Sequence, residues 1–297
     1  MAGARPLIVL PRFSIVVPTY RRPVILAGCL DAIAGLDYPR DRFEAVIVDD
    51  GGGQVELPRL PSGMELVLLT QPHAGPAAAR NTGAARAHGE FIAFTDDDCR
   101  PEPGWLRAVA AKIAEGPDHA IGGCTLNALP DNPYSTATHL LVDYFSRWHA
   151  AHGDGVFFAS NNLAVPAELF RSRGGFDTRF PRAAGEDREF CHRWSRSGGG
   201  FTYAPDAVVR HEHHLGLRSF WRQHFTYGCG ALRFHRTLAR AAHRRPARTS
   251  PSFYVGLVAS PLARRESRRA VLAMLLLLAQ VATAAGYWRE RLSRELV

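Results

Sequence analysis

Four short β-rich apolar runs punctuate the first hundred residues: FSIVV (Phe13–Val17), FEAVIVDD (Phe43–Asp50), ELVLLT (Glu65–Thr70) and EFIAFT (Glu90–Thr95). Segments of helical spacing alternate with them. RPVILAGCLDAIAGL follows the first run, with Pro23 in a first-turn position. GPAAARNTGAARAHG precedes the fourth, interrupted by Gly83, and PGWLRAVAAKIAEG follows it. Parallel strands need crossover connections, usually helical, so this alternation predicts an α/β chain. The sheet is expected to be Rossmann-like and mainly parallel, flanked by helices on both faces.

The polar residues fall at the strand ends. PTYRR follows the first strand, DDGGG the second and TDDD the fourth. In open α/β sheets ligands bind beyond the carboxyl ends of the strands, so all three clusters are expected on one edge. Asp96, Asp97 and Asp98 stand side by side and repel one another. A solvated turn accounts for one such cluster but not for three. A divalent cation carrying a phosphorylated ligand accounts for the triplet.

Beyond Ala120 the alternation fades. AIGGCTL and GVFFASNNLAVP (Gly155–Pro166) read as strands, the latter followed by a helix to Arg173. GEDREFCHRWSRSG (Gly185–Gly198) reads as a helix with Phe190 and Trp194 one turn apart, and FTYAPDAVVRHEHH as a late strand ending in histidines. Leu215–His243 reads as helical, RRPARTSPS as a loop, and Ala270–Trp288 as a 19-residue, mostly apolar helix.

Composition narrows the partners. Five cysteines without CxxC spacing argue against a disulfide framework or a zinc ribbon and fit a reducing cytosol. The N-terminal MAGARPLIVLPRF is too short in apolar residues for a signal peptide. Residues 207–297 hold 16 arginines and 4 glutamates, a charge of +12, whereas residues 1–206 carry −4. No zinc finger, basic zipper or RNP-type motif supports nucleic acid, so the basic tail is assigned to an anionic membrane surface. HEHHL at 211–215 is not HExxH, which excludes a zincin protease.

The ordered set IVVPTYRR, VIVDDGG, AAARNTG, FIAFTDDD, GGFDTRF and GEDREFCHRW resembles the family 2 glycosyltransferases of GT-A fold. The resemblance covers about Phe13 to His214. It implies inverting transfer of a sugar from a nucleotide-sugar, with Mg or Mn as the metal. It divides the chain into a catalytic domain, 1–214, and a basic helical C-terminal region, 215–297. The catalytic domain has a nucleotide-sugar half of about 1–125 and an acceptor half of about 126–214. Pro18, Thr19, Tyr20, Asp49 and Asp50 are implied to recognise the nucleoside, and Arg80 to lie near the nucleotide. Arg80 and Asn81 are neighbours on one helix, so only one is expected to face a core.

Asp96–Asp98 matches the DxD motif. Asp98 is the first choice for direct metal contact, and Asp96 for ribose or water-mediated contact. Asp97 is grouped with the donor residues, and the resemblance implies that His211 completes the metal site or touches the phosphates. Asp187 is the implied base, and Glu186 positions the acceptor or caps the helix. Asn161 and Asn162 resemble residues lining an acceptor pocket. HRW matches only part of the QxxRW signature of processive synthases, which favours transfer of single sugars. The acceptor is expected to be a glycan or lipid-linked, at the inner face of the cell membrane. Two alternatives stand beside this. A sugar nucleotidyltransferase would need a Gly-rich phosphate loop where PTYRRP stands, usually with a downstream lysine, and Lys112 is the only lysine. A non-catalytic relative would be expected to have lost the DxD or the GED acids.

Overall fold

The computed structural model describes residues 10–51, 53, 63–152, 156–182, 184–242, 250–263 and 268–293. The elements in chain order are β1 (Phe13–Thr19), α1 (Pro23–Ala34), β2 (Phe43–Asp49), β3 (Glu65–Thr70), α2 (Pro76–Arg86), β4 (Phe91–Phe94), β5 (Cys99–Pro101) and α3 (Trp105–Ile113). They continue with β6 (Ala120–Asn127), α4 (Pro133–His152), β7 (Leu163–Pro166), α5 (Ala167–Ser172), α6 (Glu186–Arg196) and β8 (Phe201–His211). The chain closes on α7 (Leu217–Ala242), α8 (Pro251–Ala263) and α9 (Arg269–Leu292).

The strands form one eight-stranded sheet in the order β3-β2-β1-β4-β7-β6-β8-β5. Strands β3, β2, β1 and β4 are parallel, as the alternation requires. Beyond β4 the sheet is mixed: β7 runs antiparallel to β4 and β6, β8 parallel to β6, and β5 antiparallel to β8. Thr19 pairs with Asp49 and Asp49 with Thr70, which aligns the polar strand ends on one edge. Cys99 pairs with His211, which brings the acidic turn after β4 against the end of β8.

The pleat divides the core. Phe13, Ile15 and Val17 pack on one face with α1 and α3, while Val16 packs on the other with Phe94, Phe170, Phe176, Phe190 and Trp194. Gly83 is explained by closeness: a Cβ there would stand 2.5 Å from Val16 Cγ1, so the glycine lets α2 lie tight on the sheet.

The acceptor side differs from the sequence reading in two places. Of Gly155–Pro166, residue 155 lies outside the described residues and only Leu163–Pro166 of the rest is strand, preceded by a 3-10 turn at Ser160–Asn162. Helix α4 was not anticipated. It shares a core with the C-terminal helices: Leu140 packs with Phe220, Leu272, Leu275 and Ala279. Of RRPARTSPS, residues 244–249 lie outside the described residues, and Pro251 already opens α8. Helices α7 and α9 touch through glycines. A Cβ on Gly228 would sit 1.9 Å from the Thr283 carbonyl oxygen, and one on Gly286 equally close to that of Phe225. One face of α9 is thereby packed, while Val271, Met274, Leu277, Val281, Trp288 and Leu292 are exposed on the other.

Candidate active site

The turn after β2 is held by its own acids. Asp49 accepts from the backbone N–H groups of Gly51 and Gly53 at 3.1 and 2.9 Å. Asp50 is buried and takes donors on both oxygens: Gln71 Nε2 and Ala74 N–H on Oδ1, His73 Nδ1 and Gly75 N–H on Oδ2, all within 2.6–2.9 Å. Its carboxylate thus anchors the loop leading into α2. Tyr20 is exposed and stacks on His73, ring centroids 4.2 Å apart. Pro18 lies beside Val48 in the β1–β2 register.

The acid triplet splits three ways. Asp97 is fully buried; it accepts from Thr19 Oγ1 at 2.8 Å and pairs with Arg22 at 2.7 Å. Burial pushes its carboxyl up to about 7 despite the Arg22 charge. Thr19 and Asp97 therefore face each other inside the protein rather than a ligand. Asp96 is bound by Arg80, itself buried, at 2.6 Å. Asp98 contacts Arg22 at 3.1 Å and His211 Nε2 at 3.3 Å. Burial opposes the charge of Asp98, but the hydrogen bond and charge of His211, with Arg22, hold its carboxyl well below the usual range. Burial likewise opposes the charge on His211, and Asp98 reverses that, raising the imidazole pKa. His213 stacks on His211 and is pushed down to about 4 by burial and by the charge of His211.

Across from the triplet lies the start of α6. Gly185 enters it in a left-handed conformation, φ 93°, a region that favours glycine. Glu186 is buried, accepts from the Ala184 N–H at 2.8 Å and reaches Arg80 at 3.4 Å. Burial first, then the neighbouring Asp187 charge, lifts its carboxyl to about 8. Asp187 accepts from the Ser160 N–H at 3.1 Å and Oγ at 3.3 Å. Burial raises its pKa too, against the pull of Arg80. Arg80 thus joins Asp96 to Glu186 in one buried network. Asn81 also turns inward, exchanging hydrogen bonds with the backbone of Phe176, so both neighbours on α2 are used. Each serves a different wall. Trp194 is core, its indole N–H donating to the Gly200 carbonyl.

Asp96, Asp98, Glu186, Asp187, Arg80 and His211 all line one cavity of about 2560 Å³. Asp97, Asp49, Asp50 and Thr19 are not among its lining residues. Asn161 lines the cavity, while Asn162 is buried, accepting from Trp105 Nε1 and donating to the Ala207 carbonyl. Sequence reasoning missed Arg22 and Ser160. Arg22 stands within PTYRRP, but its role shows only when β1 and β4 are adjacent.

Asp98, Cys99 and His211 bring potential ligand atoms within 4.8 Å of one another. The Cys99 thiol is fully buried and its pKa is raised well above the ordinary value by burial, so it stays protonated and is a poor ligand. A carboxylate oxygen and an imidazole nitrogen remain, facing a cavity able to admit phosphate oxygens. That donor set fits Mg or Mn.

The sheet order and the acid-lined cavity on its carboxyl edge fit the GT-A fold expected from the sequence. The model of glycosyl transferase family 2 matches residues 14–174, and the chain belongs to that family. It is 29% identical over 247 residues to a pre-mycofactocin glycosyltransferase of Mycobacterium tuberculosis, covering 80% of this chain and 49% of that protein. It is 27% identical over 214 residues to glycosyltransferase AglE of Haloferax volcanii, covering 68% of this chain and 67% of the other. The chain spans about half the length of the first relative. The solved mannosyltransferase PcManGT of Pyrobaculum calidifontis, in complex with GDP-Man and Mn2+, superposes with a TM-score of 0.60 at 20% identity, covering 99% of this chain and 90% of that one. At that identity it shows the fold alone.

Proposed function

We propose that the chain is an inverting, metal-dependent glycosyltransferase that moves a single sugar from a nucleotide-sugar to a hydroxyl of a glycan or lipid-linked acceptor. The observation that carries this is that Asp96 and Asp98 share one cavity with Glu186 and Asp187, with Arg80 between Asp96 and Glu186. Asp98 and His211 would hold Mg or Mn, with Asp96 nearby through ribose or water. The ion's chemistry when bound is to stabilise the departing diphosphate. Residues of about 1–125 then serve the donor: Tyr20 offers an exposed ring, and Asp49, Asp50 and Thr19 hold the loops that shape the nucleoside site. Asp97 contributes by fixing Arg22 beside Asp98.

Asp187 takes the proton of the acceptor hydroxyl as it attacks the anomeric carbon, oriented for this by Ser160. Glu186, whose carboxyl is pushed up by burial and by the charge of Asp187, sits beside it. Asp98→Ala should abolish metal-dependent turnover of the nucleotide-sugar while the fold survives. Wild-type turnover by that variant in Mg or Mn would contradict the metal role.

The same reading puts the enzyme at the cytoplasmic face of a membrane. Helix α9 is long and apolar enough to cross one, yet a third of its most apolar stretch is buried in the protein. Its exposed stripe is flanked by Arg268, Arg269, Arg289 and Arg291, which suits lying in an anionic interface rather than spanning it. Flotation with anionic liposomes tests this, and a full chain that never floats would refute it.

A further inference from the structure

Helix α7 ties the two sides of the cavity together. It begins six residues after His211. Farther along, its Gly230 lies so tight on the turn before α6 that a Cβ there would collide with the Ala184 carbonyl. Gln223, Tyr227 and Gly230 follow one another at spacings of four and three, so they share one stripe of the helix. That stripe faces the turn that carries Glu186 and Asp187, and Gln223 and Tyr227 line the cavity with these acids. At a rise of ~1.5 Å per residue, Tyr227 is only about 4.5 Å along α7 from the contact at Gly230.

Neither side chain serves the metal site or the base. Gln223 Nε2 donates to Tyr227 Oη at 2.6 Å, which fixes the direction of the hydroxyl. The opposite orientation of the amide would shut an unpaired NH2 away from solvent where now only Gln223 Oε1 is shielded and unpaired among the described residues. The phenol's own proton has no acceptor among the described residues. Burial, opposed by the bond from Gln223 and reinforced by the charges of Asp187, Glu186 and Asp98, pushes the phenol up to about 12, so it keeps that proton. The charges of both sides of the cavity thus reach one uncommitted O–H.

In the proposed reaction the diphosphate departs beside Asp98 and the acceptor attacks from beside Asp187, so the transferred sugar lies between them. A neutral O–H donor at that place matches a hydroxyl oxygen. We infer that Tyr227 donates a hydrogen bond to a hydroxyl of the transferred sugar, and that Gln223 positions the phenol for it. Helix α7 thereby reads the sugar of the donor rather than its nucleotide. This rests on the transferase reading with Asp187 as base.

Equilibrium titration of the full chain in Mn separates the sugar from the nucleotide. The probes are UDP-glucose, UDP-N-acetylglucosamine, dTDP-glucose and GDP-mannose, beside bare UDP, dTDP and GDP. For the sugar nucleotide that wild type binds tightest, Tyr227→Phe should lose ~5-fold or more, the worth of one neutral hydrogen bond, and nothing for the bare diphosphate. Gln223→Leu should lose less, and the double variant no more than Tyr227→Phe alone, because Gln223 acts only through the phenol. Deoxy analogues of that sugar carry the test without relying on a variant: in wild type one missing hydroxyl should cost ~5-fold or more, and Tyr227→Phe, with an unchanged melting curve, should erase that difference. No loss in Tyr227→Phe, an equal loss for the bare diphosphate, or no penalty for any deoxy analogue in wild type would overturn the assignment while the transferase reading stands. If wild type binds neither the sugar nucleotides nor the bare diphosphates, the transferase reading fails and the assignment falls with it.

Discussion

At the carboxyl edge of the sheet every acid of the site has an internal partner. Asp50 has four donors, Asp97 has Thr19 and Arg22, Asp98 has His211 and Arg22, and Asp96 and Glu186 share Arg80. Under the C-terminal helices, among the described residues, arginines outnumber acids on the wall of the same cavity, where Arg147 pairs with Asp143. The edge is held by contacts within the protein, while the helical wall mixes basic side chains with apolar ones. Preorganised groups suit the step common to a family, the handling of a nucleoside diphosphate, and a wall drawn from the C-terminal helices suits the part that varies, the acceptor.

The largest break in this contrast should come from removing the shared partner at the edge. Arg80→Ala leaves Asp96 and Glu186 without their buried cation, and about 3–5 kcal/mol of stability should be lost, read as a lower urea midpoint. A midpoint equal to wild type would mean that the edge is not held by this network.

A smaller effect follows from Glu186. Its carboxyl is lifted to about 8, so the folded chain binds that proton more tightly than the unfolded chain does. The contribution is fully present below the ordinary glutamate range and is lost as pH rises through about 8. Tm should therefore fall between pH 6 and 9. Glu186→Gln keeps the shape but has no proton to lose, and it should flatten that fall; an unchanged slope would place the proton elsewhere.

The smallest effect on stability is expected on the outer face of α9. Met274→Glu changes a side chain that is 62% exposed, so the melting curve should shift little, within about 0.5 kcal/mol. Flotation with anionic liposomes should weaken, and undiminished flotation would take this stripe out of the membrane contact.

The contrast also marks what the sequence could and could not reveal. Strand ends could be read because apolar runs stop abruptly at polar residues, while the nearness of His211 to Asp98 was implied only by the family resemblance. Asp97 could not be separated from its neighbours, because what removes it from the cavity is Arg22, 75 residues earlier, brought near only by the β1–β4 pairing. The four donors on Asp50 come from a loop after a different strand. Helix α4 was hidden because its buried side chains, among them Ser135, Ala137 and Thr138, do not form an apolar stripe of the usual kind. The basic wall gathers arginines from α4, α6, α7 and α9, and no local spacing announces such a cluster.

Asp187 is the residue on which the proposed proton transfer depends. Asp187→Asn retains the shape and can still bond Ser160 but has no basic oxygen. Transfer by this variant, assayed beside equilibrium binding of the nucleotide-sugar in Mn, should drop by ~10²-fold or more while donor affinity stays at the wild-type value. Near-normal transfer by Asp187→Asn, with Glu186→Gln inactive, would contradict the account and move the base to Glu186.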